Sequence, residues 1–163
     1  MTVLFRCRAR ILRLKILINL DISVESGNML SKKTRYAMVS LVRLAKNYGN
    51  GTVPISRIAA EEKIPQRFLE GILLELKGLG IVDSTRGKTG GYCLAKHPTE
   101  VSLADIITTF EGSVGMLACA CSNNYKPCEF CKDETTCKIR MTFKNIHENS
   151  SSILKNTTLK DLV

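Results

Sequence analysis

The sequence predicts a mainly α fold with one small β-hairpin: a winged helix-turn-helix followed by a long C-terminal helix. Three observations predict it. Residues 31–79 carry three helical apolar periodicities, the middle one short, with a tight Lys63-Ile64 turn into the third. A Gly-rich basic loop, Thr85-Arg86-Gly87-Lys88-Thr89-Gly90-Gly91, then lies between two short apolar runs, as in a hairpin. Near the C-terminus Ile139, Phe143, Ile146, Ser150 and Ile153 recur at spacings of 4, 3, 4 and 3, drawing one apolar seam along a helix.

A chain of 163 residues, 44% hydrophobic and 24% charged, suits one globular domain with appendages. Residues 1–28 mix Arg with aliphatic side chains. Their longest uncharged stretch, Ile16 to Leu20, is far too short to span a membrane, and Arg13 and Lys15 interrupt any signal-peptide core. This segment, with Cys7, is expected to be a disordered basic arm or to precede the true start. The DNA-binding domain is expected over 29–97 and an effector and dimerisation region over 98–163.

Ser31 to Tyr48 reads as the first helix, with Ala37, Leu41, Leu44, Ala45 and Tyr48 on one face. Asn47-Tyr48-Gly49-Asn50-Gly51 ends it. Pro54 opens a short second helix with Ile55, Ile58 and Ala59 inward. Pro65 opens the third, with Leu69, Ile72, Leu73, Leu76 and Leu79 on its buried face, and Gly80 stops it. The first turn of that helix presents Gln66 and Arg67, side chains that suit base edges or phosphates.

The hairpin takes Ile81 to Ser84 and Tyr92 to Ala95 as its strands. As a wing it would set Arg86 and Lys88 against phosphates or in the minor groove. Gly87-Lys88-Thr89 is not a nucleotide-binding loop: residue 82 is Val where that motif needs Gly, and a strand follows instead of a helix. The charge agrees with a phosphate-facing role. The net +9 divides into +3 over 1–28, +6 over 29–100 and zero over 101–163.

Ser102 with Asp105 forms a capping box for a helix through Phe110, closed by Gly112. A long helix runs from about Thr135 to Leu154, and Thr158 with Asp161 caps a last short one. Five of the seven cysteines fall between 119 and 137 as Cys119-x-Cys121-x6-Cys128-x2-Cys131-x5-Cys137. Soft thiolates at this density, in a chain without a secretory signal, read as metal binding or redox chemistry in a reducing, cytoplasmic compartment. An iron–sulfur cluster, zinc and a thiol–disulfide switch all fit. Cys93 reads as strand packing, and His97 and His147 as surface residues. No Ser-His-Asp, paired-carboxylate or nucleotide motif is present, so no enzyme is expected.

Met29 to Ala37 (MLSKKTRYA), Ile64 to Glu70 (IPQRFLE) and Arg86 to Tyr92 (RGKTGGY) resemble the Rrf2 family of bacterial transcription regulators. The likeness continues through Ser102 to Ile107 and Thr157 to Leu162, and leaves 1–28 unmatched. It implies a homodimer on a palindromic operator in double-stranded DNA, joined through the long helix, with recognition helices about 34 Å apart. It implies DNA contacts from Lys33 and Arg35, from Gln66, Arg67 and Glu70, and from Arg86, Lys88, Gly90 and Gly91. It also implies an iron–sulfur cluster, [2Fe–2S] or [4Fe–4S], on the loop cysteines. Cys131 and Cys137 match the family's last two ligands, while Cys119, Cys121 or Cys128 could supply the first. Where some members carry a fourth, non-Cys ligand, this chain has Arg140. A further Cys, a partner residue or an exchangeable group is then needed.

Overall fold

The computed structural model describes residues 30–87, 90–112, 115–121, 125–131 and 133–163. The expectation for residues 1–28, and those for Met29, Lys88 and Thr89, lie outside these.

Helix α1 spans Lys32–Lys46. The Ser31 hydroxyl accepts from the Thr34 N–H at 3.2 Å, satisfying one of the amides left without a partner at a helix start. Ala37, Leu41, Leu44 and Ala45 are buried as the periodicity requires. Tyr48 is not: the helix stops two residues earlier, and Tyr48 stands out, its ring edge-on to His97 at 5.2 Å. Buried Ser40 answers its own burial by donating to the Tyr36 carbonyl at 2.6 Å.

Helix α2, Ile55–Glu61, follows Pro54 and buries Ile58 and Ala59, leaving Ile55 half-buried. Lys63 takes a φ of 54° in the turn. Helix α3, Gln66–Gly78, begins after Pro65 and buries Leu69, Ile72, Leu73 and Leu76. Leu79, expected on that face, is 49% exposed. It occupies the C-cap, where the chain is already reversing. Gly80 (φ 67°) donates to the Lys77 carbonyl and Ile81 to that of Leu76, the paired bonds of a Schellman ending.

Strands β1, Val82–Thr85, and β2, Gly91–Leu94, pair antiparallel with Val82 opposite Leu94 and Thr85 opposite Gly91. The hairpin is anchored by a further rung. Val53 and Tyr92 exchange backbone hydrogen bonds of 2.8 and 2.9 Å. This close approach explains Gly91: a Cβ there would lie 2.3 Å from the Val53 carbonyl oxygen. At Gly90 it would lie 2.5 Å from the Thr85 carbonyl oxygen.

Helix α4, Leu103–Glu111, carries the expected Ser102–Asp105 capping box and ends at Gly112 (φ 75°). Helix α5, Lys138–Asn156, starts three residues later than expected, because Cys137 is its N-cap and Thr135 and Thr136 are tied back to the Asp133 carboxylate. A 3-10 turn, Leu159–Leu162, has the Thr158–Asp161 capping box and returns to α4, with the Leu159 N–H on the Val101 carbonyl at 3.0 Å. Val101, Ile106 and Leu159 thereby join one continuous core with Leu41, Leu69 and Leu73. Helix α5 stands outside that core, with no buried residue along its 19.

Candidate nucleic-acid interface and thiol loop

Gln66, Arg67 and Glu70 are all exposed on the first turns of α3. The same helix buries its opposite side, so its polar side is held rigidly outward. Phe68 beside them is 45% exposed and rests edge-on against Tyr36, with centroids 5.8 Å apart. Arg86 is exposed at the wing. An open groove between wing and helix is lined by Gln66, Leu74, Lys77, Arg86, Gly90 and Tyr92. Lys77 is committed within the fold, donating to Ser84 at 2.6 Å and pairing with Asp83 at 3.3 Å.

Arg35 is exposed on α1, whereas Lys33 has partners of its own. Its ammonium lies 2.5 Å from Glu75 on α3 and 5.0 Å from the Phe110 ring centroid. It therefore ties α1 to α3 and α4. Arg43 and Arg57 both donate to Glu61, and these bonds hold its carboxyl at about 2, well below the usual range.

The cysteines form a second centre. The Cys131 thiol donates to the Cys137 sulfur at 3.4 Å. Cys128 is half-buried and Cys119 buried in the same loop. Among the described residues no three Cys, His, Asp or Glu groups are closed into a metal cage.

Backbone amides point at two of these sulfurs. The N–H of Phe130 lowers the Cys128 thiol, helped by the Cys131 thiol. The Arg140 N–H, 3.5 Å from Cys137 Sγ at the start of α5, lowers that thiol too. Cys131 is pushed up to about 12, with its bond to Cys137 the largest cause. Burial raises Cys119.

Arg140, read in the sequence only as a missing ligand, braces this loop. Its Nε donates to the Cys119 carbonyl at 2.8 Å and its Nη1 to the Glu134 carbonyl at 3.4 Å. Glu134 in turn accepts from the Tyr125 hydroxyl and from the Cys128 N–H. Nothing in the residue spacing marks Tyr125 or Glu134. Cys121 is engaged differently: its thiol donates to the Leu117 carbonyl at 3.1 Å, and it packs so tightly on Gly115 that a Cβ there would meet the sulfur at 1.7 Å. Half-buried Cys93 lies on β2, opposite Asp83.

Along α5, Ile139, Met141, Ile146 and Ile153 are exposed. Beside them runs an apolar trough of about 380 Å³ walled by Leu30, Ile107, Met116, Phe143 and Leu154. No helix among the described residues is long and apolar enough to cross a membrane.

Residues 30–163 match the Rrf2 family, described as iron-dependent transcriptional regulators. The chain is 35% identical over 138 residues to the HTH-type transcriptional regulator rrf2-like of Rhodobacter capsulatus, covering 83% of this chain and 92% of that one. Among solved structures, CymR, the global cysteine regulator of B. subtilis, superposes with a TM-score of 0.68 at 28% identity, covering 82% of this chain and 94% of CymR. IscR of T. potens superposes with a TM-score of 0.63 at 27% identity, covering 83% and 86%.

Proposed function

Because the chain belongs to the Rrf2 family of transcriptional regulators, we propose that it acts as a homodimer whose grip on a palindromic operator is set by an iron–sulfur cluster on its thiol loop. The coarser part follows from the family: it is a DNA-binding regulator of transcription and not an enzyme.

In this reading α3 enters the major groove, with Gln66, Arg67 and Glu70 toward base edges, while Arg86 and Lys88 on the wing take phosphates. The two copies meet through the bare face of α5. The observation that carries the cluster reading is the Cys131–Cys137 sulfur pair, 3.4 Å apart at the start of α5, in a loop that also holds Cys119, Cys121 and Cys128. Soft thiolates suit iron–sulfur clusters, and a bound cluster would supply a redox- or iron-sensitive charge there. The cytoplasm, which keeps thiols reduced, is the compartment in which such a loop works.

Anaerobic purification of the full chain, with absorption spectrum, iron and sulfide content, tests the reading. Visible absorption with matched iron and sulfide supports it. A colourless protein holding zinc, or no metal, overturns the cluster part.

The 3.4 Å separation of the Cys131 and Cys137 sulfurs favours one second reading, a peroxide-driven switch. Hydrogen peroxide would take both thiol protons and two electrons, forming one S–S bond and two waters. A mass loss of about 2 Da on peroxide treatment, with iron-independent operator release, would establish it.

A further inference from the structure

Helix α3 carries a glycine in its interior that nothing among the described residues requires. Gly71 lies within Gln66–Gly78 and is not among the glycines with positive φ. A Cβ built on it meets no atom within 4 Å, whereas one on Gly90 or Gly91 strikes a backbone carbonyl. Neither a turn nor a packed neighbour therefore explains it. Glycine nevertheless weakens a helix interior relative to alanine, because it surrenders more backbone freedom on folding. A close approach by another molecule is the remaining use of a missing side chain.

The position of Gly71 points to that molecule. It is exposed, four residues after Arg67 and three before Leu74, so these three share the outward face of α3. The stripe of Leu69, Ile72, Leu73 and Leu76 faces the core. Leu74 is 55% exposed and lines the groove toward the wing. Bare backbone beside an exposed leucine makes a small apolar spot, with Arg67 and Glu70 next to it. On the floor of the major groove, the apolar group a base pair displays is the C5 methyl of thymine.

On the reading of α3 as the major-groove helix, we infer that Gly71 and Leu74 receive a thymine methyl. Gly71 is then a specificity-determining residue through the side chain it lacks. Any Cβ at 71 would stand where the methyl goes and hold the helix off the bases.

The test uses the full chain and a duplex that it selects from a random-sequence library. Each thymine is replaced singly by deoxyuridine, which removes only the methyl. At one position per half-site, wild-type affinity should fall about fivefold. Gly71→Ala should raise the urea midpoint, since the helix gains and nothing clashes, yet bind the unmodified duplex about tenfold more weakly. Both Gly71→Ala and Leu74→Ala should lose the sensitivity to uracil. Unchanged affinity in Gly71→Ala, or no uracil-sensitive position in wild type, overturns the inference. Uracil sensitivity that survives in both variants does the same. Arg67→Ala is the companion measurement. Weakened binding there with none in Gly71→Ala defeats this inference alone, while unchanged binding in both defeats the reading of α3 as well.

Discussion

A single methyl group tests how the wing is held. In Gly91→Ala the new carbon meets the Val53 carbonyl oxygen at 2.3 Å, and the listening partner is backbone that cannot rotate away. The variant should lose about 2 kcal/mol or more, read as a lower urea midpoint. Its operator affinity should fall as well, because the wing is displaced. The Gly-Gly pair was legible in the sequence as a wing signature, but its role was not. A bridge between residues 53 and 92 leaves no local pattern. Arg67 and Arg86 carry a different prediction. Arg67→Ala should weaken binding by about 1–3 kcal/mol and relax sequence preference at one operator position, measured by anisotropy on a set of altered sites. Arg86→Ala should weaken all sequences alike and reduce the slope of log affinity against log salt by about one. The opposite assignment of the two effects would exchange their roles.

At the scale of the element, α1 to α3 were legible because each has one buried stripe and a chemical stop. Misplaced residues fell at their ends. Tyr48 and Leu79 continue the apolar spacing past the point where the chain turns, so periodicity assigned them to faces that no longer exist. Helix α5 is the reverse case. Its seam is as regular as any other, yet among the described residues none of it is fully buried: Phe143 and Ser150 are half-buried, and Ile139, Ile146 and Ile153 are exposed. A 19-residue helix with exposed Ile139, Ile146 and Ile153 is poorly stable alone and calls for an apolar partner. Ile146→Asp should therefore convert the proposed dimer to monomer in light scattering, with α1–α4 still folded by circular dichroism, and should weaken operator binding more than tenfold. A dimer that survives would move the interface elsewhere. The loop before α5 was legible as a cluster of cysteines, but its geometry was not. The role of Arg140 depends on carbonyls of residues 119 and 134, which spacing does not bring together.

Across the whole molecule, the end of α4 and the start of α1 are joined through one carboxylate. Glu111, the last residue of α4 before Gly112, accepts from the Ser31 N–H at 2.8 Å and from the buried Thr34 hydroxyl, both at the start of α1. The Thr34 bond is the main reason its carboxyl is lowered. A lowered carboxylate stabilises the fold fully above the unfolded-chain value, about 4.3 for Glu, and loses that contribution as pH falls through the folded value. Urea midpoints should thus fall from pH 7 to pH 3 more steeply in wild type than in Glu111→Gln, with the variant weaker at pH 7. Parallel acid limbs would show that the bond carries no stability. Lys33 extends the same junction to α3 through Glu75, so a disturbance at the end of α4 has a short packed route to the reading helix.

The exposed face of α5 gives the proposed dimer a further consequence: the protein's own abundance becomes an input. If two copies pair over that helix, dilution below the dissociation constant of the pair leaves operator occupancy rising with the square of protomer concentration. Halving the cellular copy number would then cut occupancy of a weak site about fourfold by mass action alone. Under that same proposal, target sites of different strength would be released in sequence as the regulator is diluted by growth.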